Sequence, residues 1–244
     1  SMKSRTVLQL LFNPFTHDAR VSKECASLVK AGFDVHVFCL AHTGLPTQEE
    51  REGVKIRRFS FLLQGTRPFR GRGHWMYAEC YLRMLIASLE LRPMWVQAND
   101  LEALPLGYLI TRLAGGRLLY DSHELWRDCG FLGNWPGWAR RAVSTMEGFL
   151  GGKADQVVTV SEGIARELRA QYGIQLPLVI RNVPPPSSLQ VPFPGIKERL
   201  GLCTKTRLIV HSGNLQTDRG LDILLKAMAT LPPSIHLAVL GVGD

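Results

Sequence analysis

The chain has 244 residues, 45% of them hydrophobic, 20% charged and 8% aromatic, which is the composition of a globular protein of one large or two smaller domains. No apolar run approaches the roughly 20 residues that span a bilayer, and the first apolar stretch is too short for a signal peptide, ending at Asn13-Pro14. The net charge of +8 leaves nucleic acid, an anionic membrane face and phosphate-bearing substrates open as partners.

Strand-like and helix-like segments alternate along the chain. "TVLQLLF" (6–12) is an apolar run of strand length. After it, Val21, Cys25, Leu28 and Val29 share one helical face, and Gly32 supplies a stop. "DVHVFCL" (34–40) has the β-branched and aromatic content of a second strand, and "KIRRFSFL" (55–62) reads as a third, more exposed one. A helix over 74–91 leads to a strand over 94–99, a helix over 101–114 and the strand "RLLYDS" (117–122). A helix near 138–151, the strand "QVVTVS" (156–161), a helix opening at Ser161 and the strand "LVIRN" (178–182) follow. Strands separated by helix-length segments predict a doubly wound parallel α/β sheet with helices on both faces. Such sheets bind ligands at the carboxyl ends of their strands.

The composition shifts after Asn182. Five prolines in "VPPPSSLQVPFPG" (183–195) read as a stiff linker. The pattern then restarts with a strand at 207–213, an apolar helix face of Leu221, Leu224, Leu225 and Met228, and a strand at 235–241. The predicted organisation is an N-terminal domain over 1–183, a linker and start of a second domain over 184–204, and the opening of that second domain over 205–244.

The five cysteines include no CxxC pair, so neither a disulfide framework nor a zinc site is expected, and a reducing cytoplasm fits. Basic residues concentrate between Arg51 and Arg72. The segment Arg67–Trp75, with Phe69 and Trp75 among its arginines, suits either an anionic membrane surface or a solvated loop. A nucleic-acid role is not expected, because no recognition motif accompanies that cluster.

The loop after the first strand, "NPFTHDAR", contains no glycine and so lacks the dinucleotide fingerprint. Ser122, His123 and Glu124 are consecutive, which prevents the relay of a serine triad, and no G-x-S-x-G elbow exists. Polar residues cluster where strands should end: Asn13 to Arg20, Asn99-Asp100, Asp121 to Glu124, Ser161-Glu162 and Gly213-Asn214. Helix capping explains Ser161, and Asp100 is open between a cap and a hydroxyl-binding carboxylate. Imidazole is a poor cap, so His123 is the first candidate for chemistry.

"YDSHELW" (120–126), "HDARVSKECASLVKAGFDVHVF" (17–38), "VVTVSEGIARELRAQYGI" (157–174) with "LVIRNVP", and "GNLQTDRGLDILLKAMATLPPSIHLAVLGVGD" (213–244) together resemble the GT-B glycosyltransferases, in particular the retaining family 4 enzymes. The resemblance implies two Rossmann-like domains, an N-terminal one for a glycan or lipid-linked acceptor and a second one for a UDP- or GDP-linked sugar. It implies no bound metal. His123 matches the family's histidine at the reaction centre. His17, Asp18 and Arg20 match a loop near the donor phosphates, and Gly213, Asn214, Arg219 and Gly220 the donor side of the second domain. Asn99, Asp100 and Glu124 fall on the acceptor side. Asn214 stands where the family carries an arginine. The family's E-x7-E segment has no counterpart, since no Glu follows Glu198. The chain therefore reads as an acceptor domain with the opening of a donor domain, weak or inactive alone. The alternatives are a non-catalytic acceptor- or partner-binding module, or another GT-B enzyme such as an NDP-sugar epimerase.

Overall fold

In the computed structural model, residues 5–16, 18–60, 72–128, 135–183, 195–213, 215 and 220–241 are described, with backbone alone for 72–77. The chain divides into two compact units, 1–183 and 184–244.

The first unit is built on one eight-stranded sheet in the order β3-β4-β2-β1-β5-β6-β7-β8. β1 (Thr6–Leu10), β2 (Asp34–Leu40), β4 (Val54–Phe59), β5 (Trp95–Asn99), β6 (Arg117–Ser122), β7 (Gln156–Thr159) and β8 (Leu178–Val179) run parallel, as the alternation predicts. β3 (Gln48–Arg51) is an antiparallel edge strand that the sequence reading does not anticipate. Its segment "QEER" carries no apolar signal. A buried cation holds it instead: Arg58 of β4 donates to Glu49 at 2.7 Å, and to the Pro46 and Pro14 carbonyls.

Side-chain alternation along the strands sorts the core into two layers. On one face, Val21 and Cys25 of α1 (Ala19–Lys30) pack with Leu11, Val35, Val37, Cys39, Val54 and Ile56. On the other, Leu8, Leu10, Val96, Ala98, Leu118 and Tyr120 pack against α2 (Arg72–Leu91), α3 (Asp100–Ala114) and α4 (Gly137–Gly151). α5 (Glu162–Tyr172) begins as expected at Ser161, whose hydroxyl accepts the Ile164 N–H at 3.3 Å. Buried Glu147 of α4 ties α4 to its neighbours by accepting 2.7 Å hydrogen bonds from Tyr120 of β6 and Tyr172 of α5. Burial raises its pKa, with the two phenolic donors opposing.

From β1 the chain winds one way to β2, β4 and β3, then returns to the opposite side of β1 for β5 and onward. The order of winding therefore reverses between β1 and β5, and the crevice above their carboxyl ends is where a sheet of this kind takes ligands.

The turn feeding β6 is tightly sterically fixed. A Cβ on Gly116 would lie 2.6 Å from the Pro93 carbonyl oxygen and 3.2 Å from that of Met94. Both atoms belong to the backbone entering β5 and have no rotamer to escape into. Gly116→Ala is expected to cost about 2–3 kcal/mol in urea unfolding; a change below about 0.5 kcal/mol would show that the turn yields freely.

In the second unit, α6 (Ile196–Arg199) is a short helix in the segment read as linker and start of the second domain, just past its last proline. β9 (Arg207–Ser212) and β10 (Ile235–Leu240) pair in parallel around α7 (Leu221–Met228).

Candidate functional site

The polar residues at the carboxyl edge of β1, β5 and β6 form one connected group. It starts inside the sheet. Gln9 is completely buried in an otherwise apolar strand and stands directly beside Gln97 in the β1–β5 register. Gln9 donates to Gln97 Oε1 at 2.9 Å, Gln97 donates to Asn99 Oδ1 at 3.1 Å, and Asn99 donates back to Gln9 Oε1 at 2.8 Å. This ring of three amides satisfies groups that would each cost free energy if buried alone. Gln97 also donates to Glu24 of α1 at 2.7 Å and reaches Asp121 at 3.5 Å.

Asp121 is the hinge of the group. Only 4% exposed, it places Oδ1 2.8 Å from His123 Nε2 and Oδ2 3.7 Å from Arg20 Nε. The Nε2 and Nε atoms are both buried without an aligned hydrogen bond. α1 delivers Arg20 and Glu24 here because Asp18 starts the helix, accepting the Val21 N–H at 3.1 Å. Burial raises the pKa of Glu24, and the neighbouring charge of Asp121 adds to it.

Asp100 opens α3 with φ at +65°, a left-handed conformation uncommon outside glycine. Asn99, not Asp100, occupies the cap position, and it makes no side-chain cap bond. Asp100 instead turns its carboxylate toward His123, accepting that residue's backbone N–H, while Oδ1 stays buried without a partner. Burial raises its pKa, opposed by the charges of His123 and Arg20. Strain of this kind at a strand's carboxyl end marks functional positions.

Arg20, Asp121 and His123 border a cleft of about 380 Å³ that reaches Asn182. A second hollow of about 460 Å³ lies against Asn13, Asp18 and Arg20, and also reaches Asn182. Lys23 fixes that shared wall by donating to Asn182 Oδ1 and the Val183 carbonyl, each at 3.2 Å.

The structure therefore gathers four of the sequence-predicted residues, Arg20, Asn99, Asp100 and His123, with Asp18 at the edge. Two are committed inward: Asp18 caps α1, and the Asn99 amide is spent in the three-amide ring, so neither offers that group to a ligand. Glu124 is exposed, and its backbone carbonyl accepts from Ser122. Gly213 follows β9 and Gly220 caps α7 with φ at +69°. His17, Asn214 and Arg219 lie outside the described residues, as does Arg67–Trp75 apart from the backbone start of α2. Sequence reading misses Gln9, Glu24 and Gln97. The available signal was a glutamine at the centre of two apolar strand runs, "VLQLL" and "WVQAN".

Among the described residues no helix is long and apolar enough to cross a membrane, and no group of His, Cys, Asp and Glu is arranged to hold a metal ion.

Comparison with known proteins gives this geometry a family. A curated relative, D-inositol 3-phosphate glycosyltransferase of Xylanimonas cellulosilytica, is 33% identical over 36% of this chain and 25% of its own. Sucrose-phosphate synthase from Thermosynechococcus elongatus superposes with a TM-score of 0.72 at 15% identity, over 98% of this chain and 63% of the other. HepE of Anabaena, solved in complex with UDP and glucose, superposes at 0.66 with 18% identity over 98% of this chain and 61% of that one. The chain thus spans a quarter of the curated relative and under two thirds of the solved structures, whose likeness gives the fold as GT-B, Rossmann-like. Residues 17–182 match the glycosyl transferase 4-like domain, and the chain belongs to that family of GT-B glycosyltransferases.

Proposed function

We propose that this chain is the acceptor-side domain, with the opening of the donor domain, of a retaining glycosyltransferase that moves a sugar from a nucleoside-diphosphate sugar to a glycan or lipid-linked hydroxyl. The observation that carries the reading is the convergence of Arg20, Asp100, Asp121 and His123 at the switch point of a sheet belonging to this family. HepE, with UDP and glucose in its complex, supports a nucleotide-sugar donor.

In the proposed reaction the bond from the anomeric carbon to the diphosphate oxygen breaks, and the acceptor oxygen bonds the same face of that carbon. The acceptor proton leaves on the departing phosphate. The main electrostatic demand is charge on that phosphate. Arg20 suits it, because a guanidinium favours anions. His123 hydrogen-bonds the donor sugar, and the strained Asp100 carboxylate faces the acceptor hydroxyl. Within the second unit, Gly213, Asn214, Arg219 and Gly220 are the candidates for holding the nucleotide sugar. The enzyme works in the cytoplasm, peripherally on the membrane through Arg67–Trp75.

The test is binding of UDP, GDP, UDP-glucose and GDP-mannose, followed by nucleotide release in the presence of glycan and lipid-linked acceptors. Nucleotide binding, with weak or no acceptor-dependent release by this chain alone, is the expected result. Failure to bind any nucleotide would replace the reading with a non-catalytic acceptor-binding module.

A further inference from the structure

The sequence marks His123 for chemistry but assigns nothing to the residue two positions before it. Strand alternation turns Asp121 to the α1 face of the sheet, whereas its neighbour Tyr120 packs on the other. There Asp121 meets two nitrogen-bearing side chains at unequal distance: His123 Nε2 at 2.8 Å and Arg20 Nε at 3.7 Å. The imidazole side chain is 12% exposed. Its Nε2 is closed off from solvent, and no hydrogen bond is made to Nδ1 among the described residues. The ring therefore has one nitrogen beside a carboxylate and the other without a protein partner among the described residues, in a residue that lines the cleft.

We propose that Asp121 is a positioning residue that takes the Nε2–H of His123 and fixes that tautomer, so that Nδ1 meets the ligand as a hydrogen-bond acceptor. At 2.8 Å from Asp121 Oδ1 the Nε2–H is not yet aligned, and a rotation of the ring completes the bond. Contacts of this kind tighten when ligand binds. A carboxylate on one ring nitrogen sets the role of the other. Asp121 is in turn held from behind by Arg20 and by Gln97, itself locked in the amide ring, so its own direction is fixed before any ligand arrives. The consequence is a selection rule. Nδ1 requires a ligand group that donates, such as a sugar hydroxyl, and a substrate with fluorine or hydrogen at that position forfeits the contact. The ligand side of this inference rests on the transferase reading; the tautomer does not.

Nitrogen-15 NMR of the histidine-labelled chain, with His123→Gln to assign its signals, tests the tautomer without any substrate. In the parent, at a pH where the ring is neutral, the proton is expected on Nε2 with slowed solvent exchange. In Asp121→Ala the ratio of Nε2–H to Nδ1–H is expected to fall about tenfold, the low end of what a charge-assisted hydrogen bond is worth. Asp121→Asn keeps the shape and covers the case in which the alanine variant fails to fold. It is expected to lose the exchange protection with an unchanged backbone fingerprint. A parent proton on Nδ1, or a ratio and exchange rate unmoved in the folded variant, overturns the proposal. Failure of the nucleotide-sugar assays leaves these signals untouched and so counts only against the transferase reading.

Discussion

On the transferase reading, His123→Ala in the chain joined to a complete donor domain is expected to lower sugar transfer by about 100- to 1,000-fold, the usual effect of removing one positioned hydrogen-bonding group from a reaction centre, while the melting temperature stays within about 3 °C of the parent. The two halves of this expectation have different origins. His123 follows the last residue of β6, outside both apolar clusters, so its loss opens no core cavity. Asp121 keeps Arg20 and Gln97 near its other oxygen, so its charge is not abandoned. The fold therefore has little reason to respond. On the transferase reading the reaction does, because the imidazole stands beside Asp121, and Asp100 holds the His123 backbone N–H, before a sugar binds. Groups preorganised in this way act mainly in the transition state. The loss should accordingly fall on kcat, with KM changed only a few-fold. Steady-state kinetics decide it: an unchanged kcat would remove His123 from the chemistry.

The distinction also explains what the sequence could and could not disclose. Strands β1, β2, β5 and β6 are legible because each is a short apolar run that must be buried on both faces. β3 is not, since "QEER" pairs through its backbone and through Arg58, a tertiary contact without local signal. In the site, His123 is legible by position: a strand's carboxyl end and a poor capping residue. Its partnership with Arg20 is not, because those residues meet only once β1, β5 and β6 become neighbours. Local reading also leaves Asp18 and Asn99 looking like ligand-facing groups. The structure uses one for a helix cap and the other to satisfy Gln9.

The same convergence makes the site costly to keep folded, and Arg20 offsets part of that cost, beside Gln97 for Glu24 and His123 for Asp100. Glu24, Asp100 and Asp121 gather round Arg20 and His123, and burial raises the pKa of both Glu24 and Asp100, with Arg20 pulling each back down. An acid whose folded pKa is raised contributes stability that is complete below its unfolded value of about 4, and that is lost as pH rises through the folded value. Removing Arg20 raises those folded values further and leaves Asp121 short of a counter-charge. Arg20→Met keeps most of the side chain's volume. It is expected to cost about 2–3 kcal/mol at pH 8, below the usual range for breaking a fully buried pair because the Arg20 side chain is 18% exposed. At pH 5 the loss should be smaller, since the raised pKa of Glu24 and of Asp100 brings their protonation to higher pH in the folded chain, and a protonated acid demands less from a cation. Glu24→Gln keeps an oxygen to accept from Gln97, and in the Arg20→Met background it should recover part of the stability at pH 8 and little at pH 5. Urea unfolding of the single and double variants at both pH values measures this directly. A loss independent of pH, or no recovery from Glu24→Gln, would mean that Arg20 acts by packing rather than by holding the carboxylates of the site in their charged form.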